Sequence, residues 1–241
     1  MPNSSVHVIT DERCLGYSQP SHPERPQRVA GTLALLREQR EIEIIWEEPL
    51  AVTDEAIARA HEQAHLQHIA NPDGPLDGDT PDYPEIDAHA RRSIGGGLRA
   101  LELAREGKPN FSLLRPPGHH ATREQAMGFC YFNSIAITAL AARAAGVEKV
   151  AVFDFDVHHG NGTEDILRAV EGTAFFSIHQ HPAYPGTGQK SFDDCHNYTV
   201  PPDTPNDGWR KTASTALADL KKFNPDLLCV SAGFDAYKRD P

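Results

Sequence analysis

A chain of 241 residues is long enough for one sizeable α/β domain, and 39% apolar with 24% charged residues is the balance of a soluble globular protein. The net charge of −11 argues against a nucleic-acid binder, which needs a basic stripe to meet phosphates, and fits a neutral or cationic small substrate or a basic peptide better. No apolar run approaches the roughly 20 residues that span a bilayer, and the start MPNSSVHVITDERC lacks the basic head and apolar centre of a signal peptide. The expectation is a cytoplasmic protein with no membrane partner.

In chain order, VHVIT (6–10) and IEIIW (42–46) read as strands flanking a helix over 25–39. Residues 53–70 read as a second helix with Thr53 as its N-cap. NPDGPLDGDTPDYPE (71–85) is dense in Pro, Gly and Asp and reads as a loop, long enough to be a functional candidate. Helices follow over roughly 86–106 and 130–145, with strands at 110–118, 149–157, 173–180 and 226–234. Continuous apolar strands alternating with helices imply one domain over 1–241, α/β in class, with a mostly parallel sheet between two helical layers. Cys14, Cys130, Cys195 and Cys229 show no CxxC spacing, so neither a disulfide framework nor a thiolate metal cluster is expected.

Three strands end in polar clusters: RPPGHH after 110–114, DFDVHHGNG from 154, and SAGFDA from 231. Ligands of open α/β sheets bind outside the carboxyl ends of the strands, so these clusters are expected to face one pocket. Alternation along an extended strand puts Asp154, Asp156 and His158 on one face and Val157 and His159 on the other. Asp156 and His158, joined by Asp235, make a donor set suited to Zn²⁺ or Fe²⁺ with a position open for water. Asp154, one step deeper, reads as orienting other groups or holding a structural cation. His119 and His120, presented by the rigid RPPG turn, suit an acid/base and its electrostatic partner, with Asp154 and Asn161 as candidates behind them. His61, His65 and His68 have helical spacing and read as capping or packing a helix face, and His7, His89 and His196 carry no signal. There is no G-x-S-x-G elbow and no HExxH, and SIGGGLRA (93–100) lacks the GK[ST] of a phosphate loop.

Six ordered segments, HPERPQR (22–28), RPPGHHA (115–121), GFCYFN (128–133), DFDVHHGNGT (154–163), SIHQHPAYPGTG (177–188) and SAGFDA (231–236), resemble the histone deacetylase family. The resemblance is closest to its bacterial and class II-like members, including acetoin-utilisation proteins and acetylpolyamine amidohydrolases. It implies the arginase/deacetylase fold and a zinc-dependent hydrolase of acetyl-lysine, acetylpolyamines or other small acetylated amides. It implies zinc held by Asp156, His158 and Asp235, with His120 as general base and His119 as its partner, backed by Asn161 and Asp154. It implies channel walls at Gly128, Phe129 and Tyr184, a substrate-gripping carboxylate at Asp79, and a structural potassium at Asp154 and Ser177. Arginases of the same fold take a second metal on D-x-H-x-D and D-x-D patterns, whose last positions are here Gly160 and Tyr237, so one catalytic metal is expected.

The resemblance also implies further C-terminal strands and a tyrosine that polarises the substrate carbonyl, for which no residue here is a match. The expectation is a fragment of a complete enzyme. The alternative is a truncated, catalytically impaired metal-binding pseudoenzyme or scaffold.

Overall fold

Five consecutive residues, VAVFD, form a strand buried along its whole length, and the rest of the molecule is arranged around it. In the computed structural model, which describes residues 5–238 and 240, this is β4 (Val150–Asp154). It lies in a sheet of order β6-β5-β4-β7, with β5 (Thr173–Gln180), β6 (Cys195–Val200) and β7 (Leu227–Ser231). A second sheet has the order β2-β1-β3, from β1 (Val6–Ile9), β2 (Ile44–Glu47) and β3 (Asn110–Ser112). All the strand pairings of both sheets are parallel.

The period of two along β4 sorts its residues between two helical layers. Val150 and Val152 enter an apolar cluster with Ile94 of α4 (Ile86–Arg105) and Ile137 and Ala139 of α5 (Ser134–Ala144). Ala151 and Phe153 enter the opposite one, with Ala213, Ala216 and Leu220 of α7 (Asn206–Phe223). The remaining helices are α1 (Gln27–Glu38), α2 (Asp54–Ile57), α3 (Gln63–Ala70) and α6 (Asn161–Leu167). The three-layer α/β/α class expected from the sequence is therefore the observed one, with its parallel strands in two sheets.

Several boundaries differ from the sequence reading. The helix expected over 53–70 is two helices, because residues 58–62 turn away to bond a distant loop, Glu62 N–H donating to Arg123 C=O at 2.9 Å. Thr53 does cap α2, accepting from Ala56 N–H at 3.3 Å. The strand at 110–118 stops at Ser112, ahead of Pro116 and Pro117, which have no N–H to offer a ladder. Residues 190–225, left without elements in the sequence reading, contain β6 and α7. The strand expected to be buried on both faces at 226–234 is half covered: Leu227 and Cys229 pack on the α5 side, while Leu228 and Val230 are 44% and 48% exposed.

Candidate active site

β4 ends at Asp154, whose carboxylate accepts from Asp156 N–H at 3.1 Å and turns the chain out of the sheet. The next residues are thus a bend, and the strand alternation expected to align Asp156 and His158 does not operate there. They converge by a different route. Asp156 Oδ1 accepts from His158 N–H at 2.8 Å and lies 3.1 Å from His158 Nδ1. Asp235, from the turn after β7, puts Oδ2 2.9 Å from the same nitrogen and accepts from Val157 N–H through Oδ1 at 3.0 Å. One donor atom from each of Asp156, His158 and Asp235 falls within 4.8 Å of the others.

This donor set demands a positive charge. The two carboxylates favour a positive charge on the His158 ring, raising its pKa to about 10, and a bound cation would take the place of that proton. Asp156 stays ionised despite burial because His119 and His158 face it. Two carboxylates and an imidazole around one point are a borderline-hard set that a divalent cation fits.

The tandem histidines sit beside this cluster, their rings 4.0 Å apart between centroids. His119 Nδ1 donates to Asp154 Oδ2 at 2.9 Å, and His120 Nδ1 donates to Asn161 Oδ1 at 2.7 Å. Both pairings are those the family resemblance implied. They leave each Nε2 free, with His119 Nε2 3.9 Å from Asp156 Oδ2. The two partners differ in charge, so the two rings differ in basicity. Burial opposes a charge on His119, but Asp154 and Asp156 outweigh it and lift the ring to about 9. Burial and the neighbouring His119 push His120 well below the usual imidazole range. A cationic ring against a neutral one is an arrangement that can hold charge at one nitrogen and accept a proton at the other.

Gly128 and Phe129 both have positive φ, 56° and 68°. A Cβ on Gly128 would overlap the His120 ring, so glycine is required there. Tyr184 stands edge-on to His120 and to His158, at centroid distances of 5.1 and 6.0 Å. Asp79 lies in the acidic loop with its Oδ1 3.2 Å from Thr80 Oγ1. Ser177 is in register with Asp154 across β4 and β5, and its hydroxyl is 2.9 Å from His179 Nδ1.

The model of the histone deacetylase domain matches residues 22–241. The chain belongs to the histone deacetylase family. Among its relatives, a probable deacetylase of Archaeoglobus fulgidus is 33% identical over 253 residues, covering 97% of this chain and 70% of that protein. A histone deacetylase-like amidohydrolase of Pseudomonas aeruginosa is 39% identical over 206 residues, covering 78% of this chain and 54% of that one. The crystal structure of an acetylpolyamine aminohydrolase from Burkholderia pseudomallei matches with a TM-score of 0.87 at 26% identity, over 98% of this chain and 84% of that one. Membership makes this protein an amide hydrolase of the deacetylase type, in a metal-dependent family, and the acid/imidazole cluster is where a metal fits.

The sequence reading of this histone deacetylase family member missed several supporting residues. His159 does point away from the cluster, as expected, and is buried with Nδ1 2.8 Å from Thr187 Oγ1 and Nε2 3.3 Å from Glu164. His179 Nε2 donates to Gly188 C=O at 3.1 Å, so two histidines anchor the loop that carries Tyr184. Glu24 and Arg115 form a buried bidentate pair, at 2.5 and 2.6 Å, directly before the turn that presents His119. His61 accepts from Asn133 N–H at 2.9 Å and donates to Thr122 C=O at 2.8 Å, rather than packing a helix face.

Proposed function

We propose that this protein is a zinc-dependent deacetylase that hydrolyses the acetyl amide of acetyl-lysine, an acetylpolyamine or another small acetylated amine. The observation that carries the reading is the adjacency of two unlike sets: Asp156, His158 and Asp235 converging on one point, and His119 and His120 backed by a carboxylate and an amide. Zinc held by the three ligands would supply a Lewis acid for the acetyl carbonyl and lower the pKa of water there; Fe²⁺ suits the same donors.

The chain's own residues supply the rest. His120 Nε2, on the neutral ring, takes the proton of the attacking water and returns it to the departing amine. Its Nδ1–H stays on Asn161, which fixes that tautomer throughout. His119, kept cationic by Asp154, offsets the negative charge that develops on the acetyl oxygen. Gly128, Phe129 and Tyr184 wall the channel for the alkyl chain, and Asp79 grips the substrate at its rim. Potassium at Asp154 and Ser177 would keep the Asp154 carboxylate in place. Four free cysteines fit a reducing, cytoplasmic setting.

The test is to load the chain with zinc and assay a fluorogenic acetyl-lysine peptide and an acetylated polyamine. Hydrolysis lowered by about 10²–10⁴-fold in His120→Ala is the expected result. Tight hydroxamate binding with no turnover of either substrate would instead establish the binding-only pseudoenzyme.

A further inference from the structure

The HPERPQR segment has no part in the chemistry above, yet its first residue touches the channel rim from outside. His22 Nε2 lies 3.1 Å from the Asp79 carbonyl oxygen. A carbonyl only accepts, so Nε2 carries the proton and donates, and Nδ1 is left to accept from Glu24 N–H, also at 3.1 Å. The ring then meets Phe129 edge-on, with centroids 5.0 Å apart. Inside this contact Thr80, fully buried, accepts from Phe129 N–H at 3.1 Å while its hydroxyl donates to Asp79 Oδ1 at 3.2 Å. Asp79 and Phe129 are thus tied to each other and to His22, although they come from loops 49 or more residues apart. Phe129 sits at φ 68°, a conformation a bulky residue holds only where its surroundings impose it.

We propose that His22 is a positioning residue: it sets the Asp79 carboxylate and the Phe129 wall at the spacing that grips the part of a substrate outside the channel. This rests on reading Asp79 and Phe129 as rim and wall of a deacetylase channel. His22 touches neither the cluster of Asp156, His158 and Asp235 nor either catalytic histidine, so its effect is confined to ligands that reach the rim.

The experiment compares two hydroxamates on the zinc-loaded full chain by calorimetry. One is a short alkyl hydroxamate that fills only the channel, and the other carries an amide cap that reaches the rim. His22→Ala is expected to weaken the capped probe by about tenfold, the worth of one hydrogen bond, and to leave the short probe within about twofold. Glutamine places its side-chain amide where Nε2 stood, and asparagine places its polar atoms nearer Nδ1. His22→Gln is therefore expected to restore capped-probe affinity and His22→Asn is not. In turnover, the same pattern is expected in KM for a peptide substrate with kcat unchanged. Equal losses on both probes, an unaffected capped probe, or equal rescue by glutamine and asparagine would each overturn the proposal.

A second readout needs neither metal nor activity. Hydrogen exchange of the Thr80 and Phe129 amides in the metal-free chain is expected to quicken in His22→Ala relative to the amides of α5. Unchanged exchange there overturns the proposal even if neither hydroxamate binds, a result that would separately refute the deacetylase reading.

Discussion

At the scale of single residues, the donor set makes the strongest commitments. If the proposed zinc site holds, Asp235→Ala leaves two ligands, and zinc content after dialysis is expected to fall from about one per chain to a small fraction, read by metal analysis. His120→Ala is expected to keep the zinc and lose about 10²–10⁴-fold in kcat, because it removes a proton acceptor and no ligand. Gly233 tests the packing behind the ligands. An added Cβ would overlap the Asp156 carboxylate, so Gly233→Ala is expected to weaken zinc binding about 10–100-fold in a competition titration with a chromogenic chelator. Asp156, His158 and Asp235 were all legible in the sequence because each closes a strand-like run with a charge that burial would otherwise penalise. Glu24 and Arg115 were not legible as a pair, since 91 residues separate them and neither has a local pattern.

Among the elements, α5 shows how a boundary frees the residues before it for another conformation. Read from its apolar run, the helix begins at 130; in the structure it begins at Ser134, with Asn133 as its cap. Residues 128–132 turn beside His120 instead, where Gly128 and Phe129 take left-handed conformations that no helix permits. Asn133 accepts from Ala136 N–H at 3.0 Å and donates to Ala121 C=O and Thr163 Oγ1, all buried. Thr53 caps α2 at the surface by a single 3.3 Å bond. Thr53→Ala is expected to cost about 0.5–1 kcal/mol. Asn133→Ala, which also strands buried partners, is expected to cost about 2–4 kcal/mol, both measured by urea unfolding.

For the molecule as a whole, the buried histidines set the response to acid. Burial, reinforced by the neighbouring His65, depresses His61 to about 3, so the folded protein keeps it neutral while the unfolded chain protonates it near 6.5. The unfolded state then binds more protons between those values, and the stability His61 contributes is present above about 6.5 and lost as pH falls towards 3. The difference in unfolding free energy between the metal-free protein and His61→Gln is expected to shrink by about 1.4 kcal/mol per pH unit below 6.5. A difference independent of pH would show that the ring is charged in the fold.

The family resemblance implied the pairing of His119 with Asp154 and His120 with Asn161, and the residues by themselves pointed to the layered parallel α/β class and to the convergence of Asp156, His158 and Asp235. These follow from local signals: β-branched runs, their alternation with helices, and ionisable groups crowded at strand ends. Only the tertiary structure decided that the strands form two sheets, that Leu228 and Val230 face outward, and that Asp156 and His158 converge through a bend instead of strand alternation. It alone revealed the contacts of His22 with Asp79, of Thr80 with Phe129 and of Glu24 with Arg115. Those contacts join residues 49 to 91 positions apart. A hydrogen bond across such a distance leaves no periodicity in the chain, and only the folded backbone brings its two ends together.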